Sequence, residues 1–215
     1  ILKKTDLFRL NGSHNNLEWH SKISNKIKSH NKDSFILLDV PGIKPRTDNK
    51  DEVNINKNSS VLFSNKINLV NKRIRDKNIC IPISRSLPNN INSKLFSICD
   101  GQYFFKIISK NKNYIIARSK NSFILSPKKG INFPYSIYDN KTQLSVTKSF
   151  LKKSSKVLYD AIGLSFVQSE TLIKKIKILY PLKIIVSKIE NQEGVNNIDN
   201  ILKYSDAIMI DRGDL

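Results

Sequence analysis

Cysteine is nearly absent. Cys80 and Cys99 are the only two, too few and too far apart for a disulfide scaffold or a zinc site, and they read as ordinary thiols in a reducing cytoplasm. No apolar run approaches the roughly 18 residues that span a bilayer, and no signal-peptide pattern opens the chain. Membrane insertion and secretion are therefore not expected, and the expected location is cytoplasmic. Neither G-x-G-x-x-G nor a P-loop pattern occurs, which argues against the glycine-loop nucleotide folds. No solenoid repeat and no long low-complexity linker is visible. Acidic residues are sparse: 18 Asp and Glu face 37 Lys and Arg, for a net charge of +19. Such a balance raises the question of nucleic acid, but the lysines are scattered among Asn and Ile, with no basic stripe and no interleaved aromatics. Compositional drift explains the charge, and no nucleic-acid partner is expected. A positive field would still help to gather small anions.

What is present suffices for one large domain or two modest ones: 215 residues, 39% apolar and 26% charged. Leu7–Leu10 reads as a strand, Leu17–Ser29 as a helix from the spacing of Leu17, Ile23 and Ile27, and Ser34–Asp39 as a continuous apolar strand closed by Pro41-Gly42. Strand, helix, strand implies a right-handed parallel crossover. From Asp48 to Pro134 the character changes to short apolar runs (Val61–Phe63, Tyr103–Ile108, Tyr114–Ala117, Phe123–Leu125) separated by Asn, Lys, Ser and Gly. This pattern predicts a small, inserted antiparallel barrel or sandwich. Alternation then resumes: helix 145–158, strand 161–167, helix 170–179, strand 183–186, helix 197–203, strand 207–210. The expected organisation is 1–47 barrel, 48–134 inserted β domain, 135–215 barrel.

Chemistry gathers where apolar runs end. Ile184-Ile185-Val186 leads into Lys188 and Glu190, and Ala207–Ile210 leads into Arg212 and Asp214. Carboxylates and a lysine at the carboxyl ends of neighbouring parallel strands can hold a divalent metal beside a phosphorylated anion. Arg9 and Arg46, just past the first two strands, carry forks suited to phosphate. Charged strand ends converging on one face, without a glycine loop, favour a (β/α)8 TIM-type barrel over an open doubly wound sheet.

The wording of these clusters is more specific than their spacing. Lys188–Val195 with Ser205–Leu215 (KIENQEGV and SDAIMIDRGDL) resembles the pyruvate kinase pattern KIEN-x-EG-V with SDGIM-x-ARGDLG. Phe8–His14 is similar to the family's R-x-N-x-SH, and Leu38–Thr47 to its LDTKGPEIRT. Asp100-Gly101 resembles its DDG, Lys129–Pro134 its KGVNLP, and Leu164–Ser169 its SFV-R-S. The resemblance implies an α/β fold: a TIM-type barrel interrupted by a small all-β barrel that closes as a lid. Five barrel strands can be counted, so one more is expected before Ile1 and two after Leu215, as in a chain truncated at both ends.

The activity implied is Mg2+-dependent (or Mn2+-dependent) phosphoryl transfer from phosphoenolpyruvate to ADP, giving pyruvate and ATP. By resemblance, Lys188 stands beside the transferring phosphoryl, with Arg46 as a second catalytic group. Arg9 and Gly213 take phosphoenolpyruvate with Lys188. Asn11, Ser13, His14, Arg46 and Lys129 lie on the nucleotide side, and Glu190 and Asp214 hold the metal. The family is homo-oligomeric. Its monovalent-cation site would use Asn11, Ser13 and Asp39 with a threonine that is Val40 here. Its usual glutamate is Lys44 here, a pairing seen in members that need no potassium, so K+ is not expected as a cofactor. Other departures are Asp211 in place of Ala, and Pro41 and Ile43 in place of Lys and Pro. The threonine assisting the enolate proton step would lie past Leu215. A second reading is therefore a degraded relative that keeps the fold and binds metal or phosphorylated anions without turnover. An aldolase-type barrel would share the metal carboxylates but leaves the RLNGSH motif and the β insertion unexplained.

Overall fold

The computed structural model describes residues 5–88 and 90–211. In chain order the elements begin β1 (Leu7–Asn11), α1 (Leu17–His30) and β2 (Phe35–Val40). There follow β3 (Val53–Ile55), β4 (Ser60–Ser64), a 3-10 turn (Ile67–Leu69), α2 (Lys72–Arg75), β5 (Ile79–Pro82) and β6 (Leu95–Ile98). Next come β7 (Tyr103–Lys110), β8 (Ile115–Ser119), β9 (Phe123–Leu125), β10 (Ile131–Asn132) and α3 (Asn140–Lys153). The chain continues with β11 (Ala161–Leu164), α4 (Glu170–Leu179), β12 (Ile184–Ile189), α5 (Gln192–Asn196), α6 (Ile198–Tyr204) and β13 (Ala207–Ile210). Two compact units emerge. One comprises residues up to Ile43 together with those from Asp139, and the other is Lys44–Tyr138.

In the first unit, five strands lie in the order β1-β2-β11-β12-β13, all parallel and in sequence order. A doubly wound sheet reverses its order at a switch point. Here there is no reversal, and this is the α/β-barrel arrangement. Side-chain alternation sorts the strands into two faces. Ile36, Leu38, Val40, Ile162, Leu164, Ile185 and Ile189 join the helices in one aliphatic core. Leu37, Ala161 and Val186 form a second cluster on the opposite face with Phe35 and Met209. Burial on both faces is why these strands read as unbroken apolar runs.

Two local readings are corrected. The helix expected at 145–158 is α3, five residues earlier, because the Asp139 carboxylate accepts the Thr142 N–H (2.7 Å) and fixes the first turn there. The short α5 was not anticipated; Asn191 caps it by accepting the Gly194 N–H at 2.9 Å. Gly194 is required by space, since a Cβ there would lie 2.5 Å from the Val167 carbonyl oxygen.

The second unit is a six-stranded sheet ordered β10-β6-β7-β8-β4-β5, with a β3-β9 pair beside it. All its pairings are antiparallel except β4-β5. The segment after Lys44 closes the ring. On one side Arg46 bridges Gly130, and on the other Thr47 bridges Ile83. Phe63, Phe96, Phe105, Phe123 and Phe133 fill the interior.

Candidate active site

Alternation carries the chemistry to one face of the parallel sheet. Leu37 and Asp39 share a face of β2, as do Val186 and Lys188 of β12, and the register sets Asp39 opposite Asn11 and Gly163. The charged residues thus stand on the face of the Leu37–Ala161–Val186 cluster, at its carboxyl-terminal end.

Lys188 is the centre. Its side chain is only 6% exposed, and its Nζ lies 2.7 Å from Glu190 Oε1, 3.3 Å from Asp39 Oδ1 and 3.5 Å from Asp211 Oδ2. It also donates to Ser165 Oγ at 3.3 Å. Burial by itself would depress the ammonium, but the charges of Glu190, Asp39 and Asp211 and the Glu190 hydrogen bond outweigh it and raise the Lys188 pKa above its ordinary value. Lys188 is therefore a fixed positive charge, not a proton donor near neutrality.

Asp39 links two cations. Its Oδ1 faces Lys188, while its Oδ2 accepts from Arg9 through Nε at 2.9 Å and through Nη2. Asp39 is 3% exposed and Arg9 41% exposed, so the buried carboxylate anchors one edge of a guanidinium that otherwise faces solvent. Ser165 donates to the Val40 carbonyl at 2.8 Å. The next residue, Phe166, adopts a left-handed backbone (φ 53°), a conformation that costs about 1–3 kcal/mol unless its surroundings enforce it. Gln143 of α3 supplies that enforcement, its Nε2 donating to the Ser165 and Phe166 carbonyls, both at 2.7 Å.

At the end of β1, the Asn11 side chain accepts the Ser13 N–H at 3.0 Å. His14 is exposed, and its carbonyl lies 2.9 Å from His20 Nε2. Gly12 is needed for close approach: its N–H donates to the Asp39 carbonyl (2.9 Å), and a Cβ would come within 2.8 Å of that oxygen. The β unit holds Lys44, Arg46 and Lys129. Arg46 Nη1 donates to the Lys128 carbonyl at 3.2 Å, the Thr47 N–H donates to the Lys129 carbonyl at 2.8 Å, and the Lys44 chain packs against Gly130. Four basic residues, Lys44, Arg46, Lys128 and Lys129, thereby gather around one bridge of that barrel. Gly213 and Asp214 lie outside the described residues. Among the described residues, no group of three or more His, Cys, Asp or Glu is arranged to hold a metal. The chemistry of Glu190, a carboxylate at a strand end, nonetheless suits a hard divalent cation.

The family model "Pyruvate kinase, barrel domain" matches residues 2–215. The chain belongs to the pyruvate kinase family. Among curated pyruvate kinases it is 30% identical to that of Kluyveromyces lactis, over 98% of this chain and 44% of the relative. It is 29% identical to that of Thermococcus litoralis, over 96% and 45%. With a pyruvate kinase of Nicotiana tabacum named as a cytosolic isozyme it shares 28%, over 96% and 43%. The chain thus spans somewhat under half the length of these pyruvate kinases. No helix among its described residues is long and apolar enough to cross a membrane.

Sequence reasoning singled out Lys188, Glu190, Arg9 and Asp39, which the structure brings together. It missed Gln143 and the part played by Ser165. Ser165 stood within a quoted motif, whereas Gln143 carried no signal.

Proposed function

We propose that the chain supplies the phosphoryl-transfer site of a pyruvate kinase, acting in the cytoplasm on phosphoenolpyruvate and ADP to give pyruvate and ATP. The observation that carries this reading is the Lys188 ammonium, held by Glu190, Asp39 and Asp211 at the ends of parallel strands beside the Arg9 fork. Phosphoryl transfer asks a protein chiefly for positioning and for positive charge around the transferred group. Lys188 provides a compact point charge and Arg9 a planar fork for the phosphate. Gly213, outside the described residues, is assigned to the substrate by the motif in which it stands. Arg46 and Lys129 belong to the basic cluster of the β unit, which suits nucleotide phosphates, and Asn11, Ser13 and His14 are assigned to the nucleotide as well. Glu190 with Asp214 would hold Mg2+ or Mn2+, which supplies charge to phosphoryl oxygens.

Potassium is not required on this reading. Both Asp39 oxygens already meet protein cations, and the Val40 carbonyl accepts from Ser165. Lys44 takes over the monovalent charge.

The test is ATP formation from phosphoenolpyruvate and ADP with magnesium, run in potassium and in tetramethylammonium salts. Turnover is expected in both. Lys188→Met should lower it about a thousandfold, equivalent to roughly 4 kcal/mol of barrier. Turnover within tenfold of the parent would overturn the assignment. The second reading, a relative that binds without turnover, is favoured by Asp211 standing 3.5 Å from Lys188. It predicts anion binding with no ATP formed.

A further inference from the structure

The charges around Lys188 do not balance. Among the described residues, Lys188 and Arg9 contribute two positive charges, and Asp39, Glu190 and Asp211 three negative ones. The three carboxylates also differ in kind. Asp39 and Glu190 are 3% and 2% exposed and are enclosed with the lysine, whereas Asp211 is 33% exposed and stands on its solvent side. The placement of Asp211 is set by the backbone. Its N–H donates to the Ile189 carbonyl at 3.2 Å, the bond that closes the last pair of the β12-β13 ladder, Ile189–Ile210. Of the three carboxylates around Lys188, Asp211 is the one that solvent reaches.

We propose that Asp211 is a built-in competitor for the Lys188 ammonium: it occupies the place of the substrate's anionic group, and an anion binds only by displacing it. This rests on the reading of Lys188 as the phosphoenolpyruvate site and adds a selectivity device to it. Asp211 and the incoming anion compete for one cation, so the affinity for the anion is lowered by the strength of the Asp211–Lys188 contact. A divalent cation at the site offsets the excess negative charge and relieves the competition. By linkage, anion and metal then strengthen each other's binding by the same factor.

Equilibrium binding of phosphoenolpyruvate to this chain, measured calorimetrically with and without Mn2+, tests the proposal. Without Mn2+, Asp211→Ala and Asp211→Asn should each bind phosphoenolpyruvate about two- to fivefold more tightly than the parent, the range expected for releasing a part-exposed ion pair. The gain in affinity on adding Mn2+ should shrink in both variants. Unchanged affinity in both variants would overturn the competitor role, and so would weaker binding, which would make Asp211 a residue that helps to hold the ligand. Lys188→Met separates the two levels of argument. If it binds phosphoenolpyruvate as the parent does, the site reading itself fails. If it abolishes binding while the Asp211 variants behave like the parent, only the competitor role is lost. Because Asp211 is part-exposed at the end of a strand, thermal unfolding of its variants should stay close to the parent, which separates a binding effect from a folding one.

Discussion

The two units of this chain bury different things. In the β unit the interior holds a cluster of phenylalanine rings among aliphatic side chains: Phe96 stacks on Phe105 (centroids 5.2 Å apart), meets Phe63 edge-on at 5.3 Å and lies 5.0 Å from Phe133. In the barrel unit the main core is entirely aliphatic among its fully buried members, and the charges Asp39, Lys188 and Glu190 are hidden at the strand ends. A small closed sheet has one interior, and large flat rings fill it with few residues. A parallel sheet faced by helices is covered on both sides, and branched aliphatics suit that geometry. The difference separates stability from chemistry. The β unit buries mainly apolar area, with Lys44 as a buried charge at its edge, while the barrel unit carries a cluster of desolvated charges that is tolerable only because its members pair.

The largest effect is expected from the aromatic core. Phe96→Ala removes a ring in contact with three others and should cost about 3–5 kcal/mol. Hydrogen exchange should show lost protection in β4 to β8, with β1, β2 and β11 to β13 unaffected. Simultaneous loss throughout the chain would break the comparison, because the two units would then share one unfolding transition.

A somewhat smaller effect should come from the site. Asp39→Asn keeps the volume but removes the carboxylate that compensates both Arg9 and Lys188. Glu190 still faces Lys188 at 2.7 Å and Arg9 is part-exposed, so the loss is that of hydrogen bonds between charged groups, about 2 kcal/mol, and here protection should fall in the barrel unit alone. A neutral result would mean that Glu190 and Asp211 balance Lys188 by themselves and that solvent satisfies Arg9.

What the sequence disclosed follows the same division. The strand Phe35–Val40 was readable because both of its faces are apolar. Helix α3 was misplaced because its buried face is Gln143, Thr147 and Leu151: two polar residues on the inner side erase the hydrophobic period, and the Asp139 cap was overlooked. Helix α5 is a single turn held by a cap and a glycine contact, too short for any period. At the site, Lys188 and Glu190 were visible from their wording. That Asp39 joins Arg9 to Lys188 was not, since it depends on the register Asn11–Asp39 and on β11 lying between β2 and β12, so that their side chains meet across it. The selection of Gln143 by two carbonyls around a left-handed Phe166 has no signature in a single chain.

The smallest effect concerns the opposite end of the barrel strands, where charge acts structurally. Asp160 and Asp206 each stand one residue before a strand and accept the N–H of the second residue of the neighbouring one: Ile36 for Asp160 and Ile185 for Asp206, both at 2.8 Å. Each also has a lysine, Lys28 at 2.9 Å and Lys177 at 2.8 Å. For Asp160, partial burial pushes the pKa up, but the hydrogen bonds from Lys28 and Ile36 and the charges of Lys28 and Lys183 outweigh it, leaving the carboxyl below its ordinary value of 3.8. Asp206 is lowered against burial in the same manner by Lys177 and the Ile185 N–H. A carboxyl whose folded pKa is depressed contributes stability that is fully present above the unfolded value and is lost as pH falls through the folded one. Acid should therefore weaken the barrel unit progressively below about pH 4, by this mechanism, while the aromatic core of the β unit has no charge to titrate. Asp160→Asn can still accept the Ile36 N–H but no longer attracts Lys28. With the Asp160 side chain 35% exposed, solvent screening limits the loss to about 1 kcal/mol at neutral pH. Urea unfolding of the barrel unit at pH 7 and pH 3 measures it: the parent should lose more stability between the two than Asp160→Asn, and equal losses would remove Asp160 from the account of acid sensitivity.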